Sequence, residues 1–410
     1  MSAAATAWVL VSAALVLFMT PGVALFYGGM VRSKNVLSVM VQSFVAMALV
    51  TVLWAVIGFS LAFSRDAGAG LIGTTSLFAL GGMGHALPGF GHVHVSTETV
   101  MIFQMMFAII TAALIVGGVV ERVAFRSFAV LLGVWLLLVY APIAHWVFSP
   151  VGWLAHHGVL DFAGGTVVEI NSGFSTLAVV LVLGRRHGWP RDPMQPHSIP
   201  LSIIGAGILW FGWFGFNAGS ALGASPIAVH AFVNTQLAAA AGSLGWLLFE
   251  GRKERVATAL GGASGAIAGM VAITPCAGYV GPMPSLCIGA LAGFVCVAAV
   301  QMKYRYRYDD SLDVFAIHGI GGVLGMVLLG FFAQRSVNAA GANGLLFGGG
   351  GHLLGWQVLA VLATAAYAFA VTYVIARVVD RLMGLRVVHE HEQRGLDLSL
   401  HGESAYSSSS

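Results

Sequence analysis

The chain has 410 residues, 58% of them hydrophobic and only 9% charged, with 54 glycines and a formal net charge of +3. Soluble domains carry about a quarter of their residues charged, so this composition excludes a water-exposed surface and places the chain in lipid. No phosphate-cradling loop, nucleophile elbow or zinc-helix motif occurs, which argues against an ATP-driven pump or a familiar membrane enzyme; no cofactor and no nucleic-acid partner is expected.

A helix needs about 20 apolar residues to cross a bilayer. Eleven such stretches follow one another, at roughly 5–31, 37–63, 98–120, 124–149, 163–184, 198–219, 227–249, 257–275, 284–302, 311–333 and 354–378. The first lacks a basic segment before it and a small-residue cleavage site after it, so it reads as a span and not a signal peptide, with a kink expected at Pro21. Between Asp192 and Glu250, and again between Arg255 and Lys303, no Asp, Glu, Lys or Arg interrupts the chain, so each stretch must hold a helical hairpin. The Gly and Pro cluster from Pro275 to Pro284 marks the second turn. Cys276, Cys287 and Cys296 fall in or beside these apolar spans and read as packing, without disulfide or metal spacing.

Basic residues are retained on the cytoplasmic side of a membrane. All but Arg65 and Arg335 of the 19 Lys and Arg lie in one alternating set of loops and in the tail, which puts the N-terminus outside and the C-terminus inside. The fold class is therefore an all-α polytopic membrane protein. Residues 1–380 form its transmembrane domain, in two halves of about 1–190 and 191–335 plus the last span, and 381–410 form a cytoplasmic tail.

Two segments repeat a pattern: Asp161-Phe-Ala-Gly-Gly-Thr-Val-Val-Glu169 and Asp310-Ser-Leu-Asp-Val-Phe-Ala-Ile-His318. In each an acidic residue opens a span and an ionisable one follows eight positions later, about 12 Å along the helix and near the bilayer centre. These are the fifth and tenth spans. Five spans per half is odd, so the halves cross in opposite senses as an inverted repeat, and the two midpoints can meet. Asp161 and Asp310 read either as helix caps or as direct participants in transport. A carboxylate at the depth of Glu169 costs several kcal/mol unless paired or facing a cavity. Glu169 and His318 are thus expected to pair, lining a conduction path in one reading and merely joining two helices in the other.

Phe103 and Phe107 share a face of the third span, and the sixth carries the aromatic run from Trp210 through Phe216 that leads to Ser220. Such stripes are usually packing, although desolvated ring faces attract ammonium-type cations by about 2 kcal/mol. His85, His92, His94, His156 and His157 fall in exterior loops, and His145 near an exterior end; His92-Val-His94 shows no third metal ligand.

With these residues in view, the chain resembles the ammonium transporter, methylammonium permease and Rhesus family, in its ammonium transporter branch. The matching segments are PGVALFYGGMVRSKNVLS from Pro21, DFAGGTVVEI from Asp161, GWFGFNAGSA from Gly212, AFVNT from Ala231, SGAIAGMVAITPCAGYV from Ser264, DVFAIHGIGG from Asp313 and GLRV from Gly384. The resemblance implies transport of ammonium or methylammonium through one narrow hydrophobic path in each subunit of a homotrimer in the cell membrane. It assigns Phe107 and Phe216 to a stacked gate, Phe103, Phe107, Phe148, Ser220 and Asp161 to outer recruitment, and Trp213, Glu169 and His318 to the pore lining and proton relay. The tail Glu390 to Tyr406 resembles the family's regulatory segment, which in many members meets trimeric PII-type signal proteins.

Two departures stand out. Where the family usually has a first mid-pore histidine this chain has Glu169, as do some fungal permeases, and where it has an outer tryptophan this chain aligns Phe148, with Trp146 or Trp153 as alternatives. A second function, an ammonium sensor whose tail signals, is opposed by the shortness of the chain after Arg377.

Overall fold

Five of the membrane helices start where the sequence supplies a side-chain cap. The computed structural model describes residues 1–91 and 93–406; His92 of the His92-Val-His94 pair, and the tail beyond Tyr406, lie outside the described residues. Ser2, Ser96, Ser198, Ser225 and Thr258 each accept a hydrogen bond from a backbone N–H of the first helical turn, satisfying a donor that lipid could not.

Ten helices are long and apolar enough to span: α1 (Ala3–Met30), α2 (Ser33–Phe63), α3 (Thr97–Val119), α4 (Phe125–His156, bent at 149–152), α5 (Gly165–Leu183), α6 (Ile199–Gly219), α7 (Pro226–Lys253), α9 (Pro282–Tyr306), α10 (Phe315–Phe332) and α11 (His352–Met383). Between them α8 (Ala259–Ile273) is apolar and shorter, with 15 residues, and continues as turns toward Val280. The eleven elements match the expected spans in order. The helix of the first span runs from Ala3 to Met30 straight through Pro21 without a break in its assignment. The tenth begins at Phe315, later than expected, because Asp313 adopts a left-handed φ of 62° in the turn before it. Of the cysteines, all free, Cys276 and Cys296 are buried and Cys287 is exposed on α9, so packing accounts for two of the three.

Small residues set how closely the helices approach. Gly205 of α6 meets α1 so tightly that a Cβ there would lie 2.3 Å from the backbone nitrogen of Phe26. Across the repeat, a Cβ on Gly173 of α5 would lie 2.3 Å from Cα of Gly319 in α10. Any larger residue would hold those two helices apart, and with them Glu169 and His318.

The repeat is visible in the backbone. Glu169 lies in a π-helical turn, Gly165–Ile170, and His318 in another, Phe315–Ile320. Both turns are started by the aspartate of the repeated motif. Asp161 accepts from the N–H groups of Gly164, Gly165 and Thr166 at 2.8, 2.7 and 2.8 Å, and Asp310 from Phe315 N at 2.7 Å. A π-turn adds a residue to the helical cycle and rotates the following side chains, a device common at functional sites.

The basic loops gather at one end of the bundle. Glu121, after α3, accepts from Arg32 Nε at 3.0 Å and from Arg186 Nη1 at 3.0 Å; Arg186 also pairs with Asp309 at 2.8 Å. Arg122 donates to Gly184 O, Ser311 Oγ and Asp309 O. Burial alone would raise the Glu121 carboxyl, but the guanidinium groups of Arg186 and Arg32 hold it down at about 2. The tail closes over the same end. Its short helix α12 (His389–Arg394) carries Glu392, which accepts from His187 N and Arg386. Asp397 accepts from the N–H groups of Leu37 and Ser38 at the start of α2's main helical run.

Candidate functional site

The outer part of the site rests on α3, α4 and α6. Phe103 and Phe107 are one helical turn apart and fully buried, with ring centroids 4.9 Å apart. Phe107 stacks on Phe216 at 4.2 Å and 25°, and Phe148 meets Phe107 edge-on at 6.1 Å. Trp146 instead faces Trp153 and Tyr367, and bonds Leu71 O. Of Phe148, Trp146 and Trp153, Phe148 is the one whose ring meets Phe107. Ser220 is half-buried at the end of α6 and spends its hydroxyl hydrogen on Phe216 O at 2.8 Å, which leaves its oxygen lone pairs as acceptors.

Beneath the stacked rings lies a cavity of about 10 Å³, close to the least that admits one water. Apolar side chains of α1, α3, α5, α6, α8 and α10 line it, Val23, Ile110, Val168 and Ile267 among them, together with Trp213, Phe216, Glu169 and His318. Its ionisable pair is close: Nδ1 of His318 lies 2.7 Å from Oε2 of Glu169, while the Tyr27 hydroxyl donates to Leu114 O. Glu169 is 0% exposed and His318 5%. Oε1 of Glu169 has no partner among the described residues. Trp213 lines the cavity with its ring while its indole N–H is spent on Thr274 Oγ1 at 2.9 Å, which keeps that donor out of the lumen.

Phe103 and Phe148 pack on Phe107, which stacks on Phe216; Trp213, Glu169 and His318 follow in the cavity below, and Ser220 joins this set through its bond to Phe216 O. Asp161 is not in it. Its two oxygens are occupied by three backbone N–H groups and the Thr166 hydroxyl at 2.5 Å, so its contact with the set runs through the turn that carries Glu169. Sequence reasoning missed Phe26, Tyr27 and Leu114 toward the inner end of the cavity and Thr274 behind Trp213. Phe26 and Tyr27 sit inside one of the segments that carry the resemblance, but nothing in their spacing marked a lumen face.

Comparisons with known proteins identify the family. The model of the Ammonium Transporter Family matches residues 7–406. The ammonium transporter of Bacillus subtilis (strain 168) is 46% identical over 405 residues, spanning 98% of each chain. Ammonium transporter Amt1 of Archaeoglobus fulgidus is 46% identical over 406 residues, 99% of this chain and 100% of that one. The crystal structure of Saccharomyces cerevisiae Mep2 superposes with a TM-score of 0.88 at 36% identity, covering 95% of this chain and 91% of that one. A full-length match in sequence and fold makes this chain a multi-pass member of the ammonium transporter family that carries ammonium across the cell membrane.

Proposed function

We propose that ammonium is recruited outside Phe107, loses its proton there, and crosses as ammonia while the Glu169/His318 pair relays the proton. The observation that carries this reading is an ionisable hydrogen-bonded pair inside a cavity of about 10 Å³ whose other lining is mainly aliphatic and aromatic. An ammonium ion stripped of water in such a space carries a solvation penalty of many kcal/mol, whereas neutral ammonia crosses cheaply. The π-electrons of Phe103, Phe107 and Phe148 and the lone pairs of Ser220 favour the cation at the mouth. The 4.2 Å stack of Phe107 on Phe216 then bars hydrated ions.

Liposomes containing only this protein should show ammonium-evoked flux without potassium flux, and Phe107→Ala or Phe216→Ala should admit potassium. Ammonium binding without flux would instead favour the sensor function. Lowered yield with unchanged selectivity would reduce the stack to packing.

The reading extends to assembly and tail. Gln236 of α7 is exposed about 15 Å into its helix. Its carbonyl accepts from Trp210 at 3.1 Å, and its amide donors have no partner among the described residues. In lipid that would cost several kcal/mol, which supports a neighbouring subunit covering this face, as in the trimer the family resemblance implies. The tail 381–410, through Glu392 and Asp397, acts as a strap across the cytoplasmic ends of the helices, on the face where a PII-type partner would bind. Truncation after Arg386 should lower transport while the trimer persists in size-exclusion chromatography; full activity would remove the regulatory role.

A further inference from the structure

His145 occupies the last turn of the segment Ala141–Phe148, three residues before Phe148, with 0% of its surface exposed. Each ring nitrogen faces an oxygen. Nδ1 lies 2.8 Å from Ala62 O at the end of α2, and Nε2 lies 3.4 Å from Oδ1 of Asp66. A carbonyl oxygen only accepts, so Nδ1 carries a hydrogen. Nε2 then faces a second acceptor. Neither Nε2 nor Oδ1 has a hydrogen-bond partner among the described residues, so the 3.4 Å approach is a charge-pair contact and not a formed hydrogen bond. Without a further proton two lone pairs oppose each other; with it, an imidazolium faces the carboxylate and attraction replaces repulsion. The contact is complete only while the pair holds that proton.

Asp66 stands at the base of an exterior hairpin over residues 65–74. Ala67 N donates to Ile72 O at 2.8 Å, Thr74 N to Arg65 O at 2.8 Å, and Gly73 N to Leu61 O at 2.7 Å. The tip is gripped by the end of α4, where Trp153 N donates to Gly70 O at 3.1 Å and Trp146 Nε1 to Leu71 O at 2.7 Å. Burial would raise the Asp66 carboxyl, but the backbone N–H groups of Gly70 and Gly68, and then His145, hold it below the usual carboxylate range, so its charge persists into acid. The Asp66 side chain is 27% exposed although its Oδ1 is buried against the ring, so the carboxylate links the imidazole to the outside. Among the described residues Asp66 is the charged group that faces the imidazole; neighbouring Arg65 is exposed and forms no ion pair with it.

We propose that His145 and Asp66 form a one-proton clasp that fastens the hairpin to the end of α4 and so positions Phe148, making ammonium recruitment weaker as external pH rises. The proposal rests on the reading of Phe148 as part of the recruitment site. His145 is here a positioning residue that touches no substrate.

Asp66→Asn provides the test, because an amide can donate to unprotonated Nε2 and close the clasp without the extra proton. Hydrogen exchange of residues 65–74, corrected for intrinsic rates, and the half-saturating concentration of ammonium ion would be measured between about pH 5 and 8 outside. The wild type should lose hairpin protection and need several-fold more ammonium as pH rises, with its maximal current kept, while Asp66→Asn stays flat in both. Protection independent of pH in the wild type, or an equal loss in Asp66→Asn, overturns the clasp. Protection that falls while half-saturation stays fixed overturns its link to recruitment. In that event Phe148→Ala tells which step failed: a shifted half-saturation leaves the recruitment site standing and condemns the clasp alone, and an unshifted one shows that both fall together.

Discussion

Glu169→Leu is expected to abolish proton-coupled ammonium current, by about a hundredfold or more, while leaving an assembled protein. A hundredfold corresponds to about 2.7 kcal/mol of barrier, less than the cost of moving a bare charge through the cavity once the relay is gone. Leucine fills a comparable volume, and removing the carboxyl spares the desolvation that the buried pair demands, so folding should survive. The 2.7 Å contact lets Glu169 and His318 pass a proton between them and hold it in common. Glu169→His keeps two proton carriers and should transport with a shifted pH dependence. His318→Glu would set two carboxylates at contact distance, where repulsion traps a shared proton, and should be strongly impaired. Liposome currents at several pH values test all three. A Glu169→Leu current with unchanged size and pH profile would reduce the pair to helix glue.

How much of this was legible beforehand depends on the range of the signal. The eleven spans are local runs of apolar residues, and the basic loops are local counts, so both could be read directly. The meeting of Glu169 with His318 is a long-range contact, legible only because the motif repeats and an odd number of spans inverts the second copy. The stack of Phe107 on Phe216 was available from the family resemblance alone, since aromatic residues on apolar helices are usually packing. Asp161 illustrates the opposite limit: its acidity suggested either a cap or a transport role, and the geometry uses both oxygens for capping the turn that carries Glu169. Tyr27 and Thr274 were invisible because helix rotation, set by contacts such as that of Gly205 with Phe26, decides which face meets the lumen. The cytoplasmic charge cluster was legible only as a positive-inside bias, because nothing local tells Glu121 that its partners are Arg32 and Arg186.

That cluster supplies the largest expected effect on stability. Asp309→Ala should destabilise the folded protein by about 3–5 kcal/mol, the cost of stranding a buried charge. Arg186 is nearly buried and gives Asp309 both Nε and Nη2, at 2.9 and 2.8 Å, as well as its backbone N–H. Among the described residues Glu121 then remains its only carboxylate, and that one is already shared with Arg32. Adding Arg186→Met to Asp309→Ala should recover much of the loss, because both charges leave together and Glu121 keeps Arg32. Acid should act on the same groups. Glu121, held at about 2 against an ordinary 4.5, contributes about 3 kcal/mol, and the Asp309 carboxyl is held down in the same sense. A depressed carboxyl stabilises fully above its unfolded value and loses that contribution as pH falls toward its folded one. Thermal unfolding of detergent-solubilised protein should therefore be steady at neutral pH and drop progressively below about 4.5. The drop should be shallower in the Asp309→Ala/Arg186→Met double variant, which has one fewer depressed carboxyl to protonate. Strictly additive losses in the double variant, with an unchanged acid profile, would show that Arg186 and Asp309 stabilise the helix ends through packing and not through their charges.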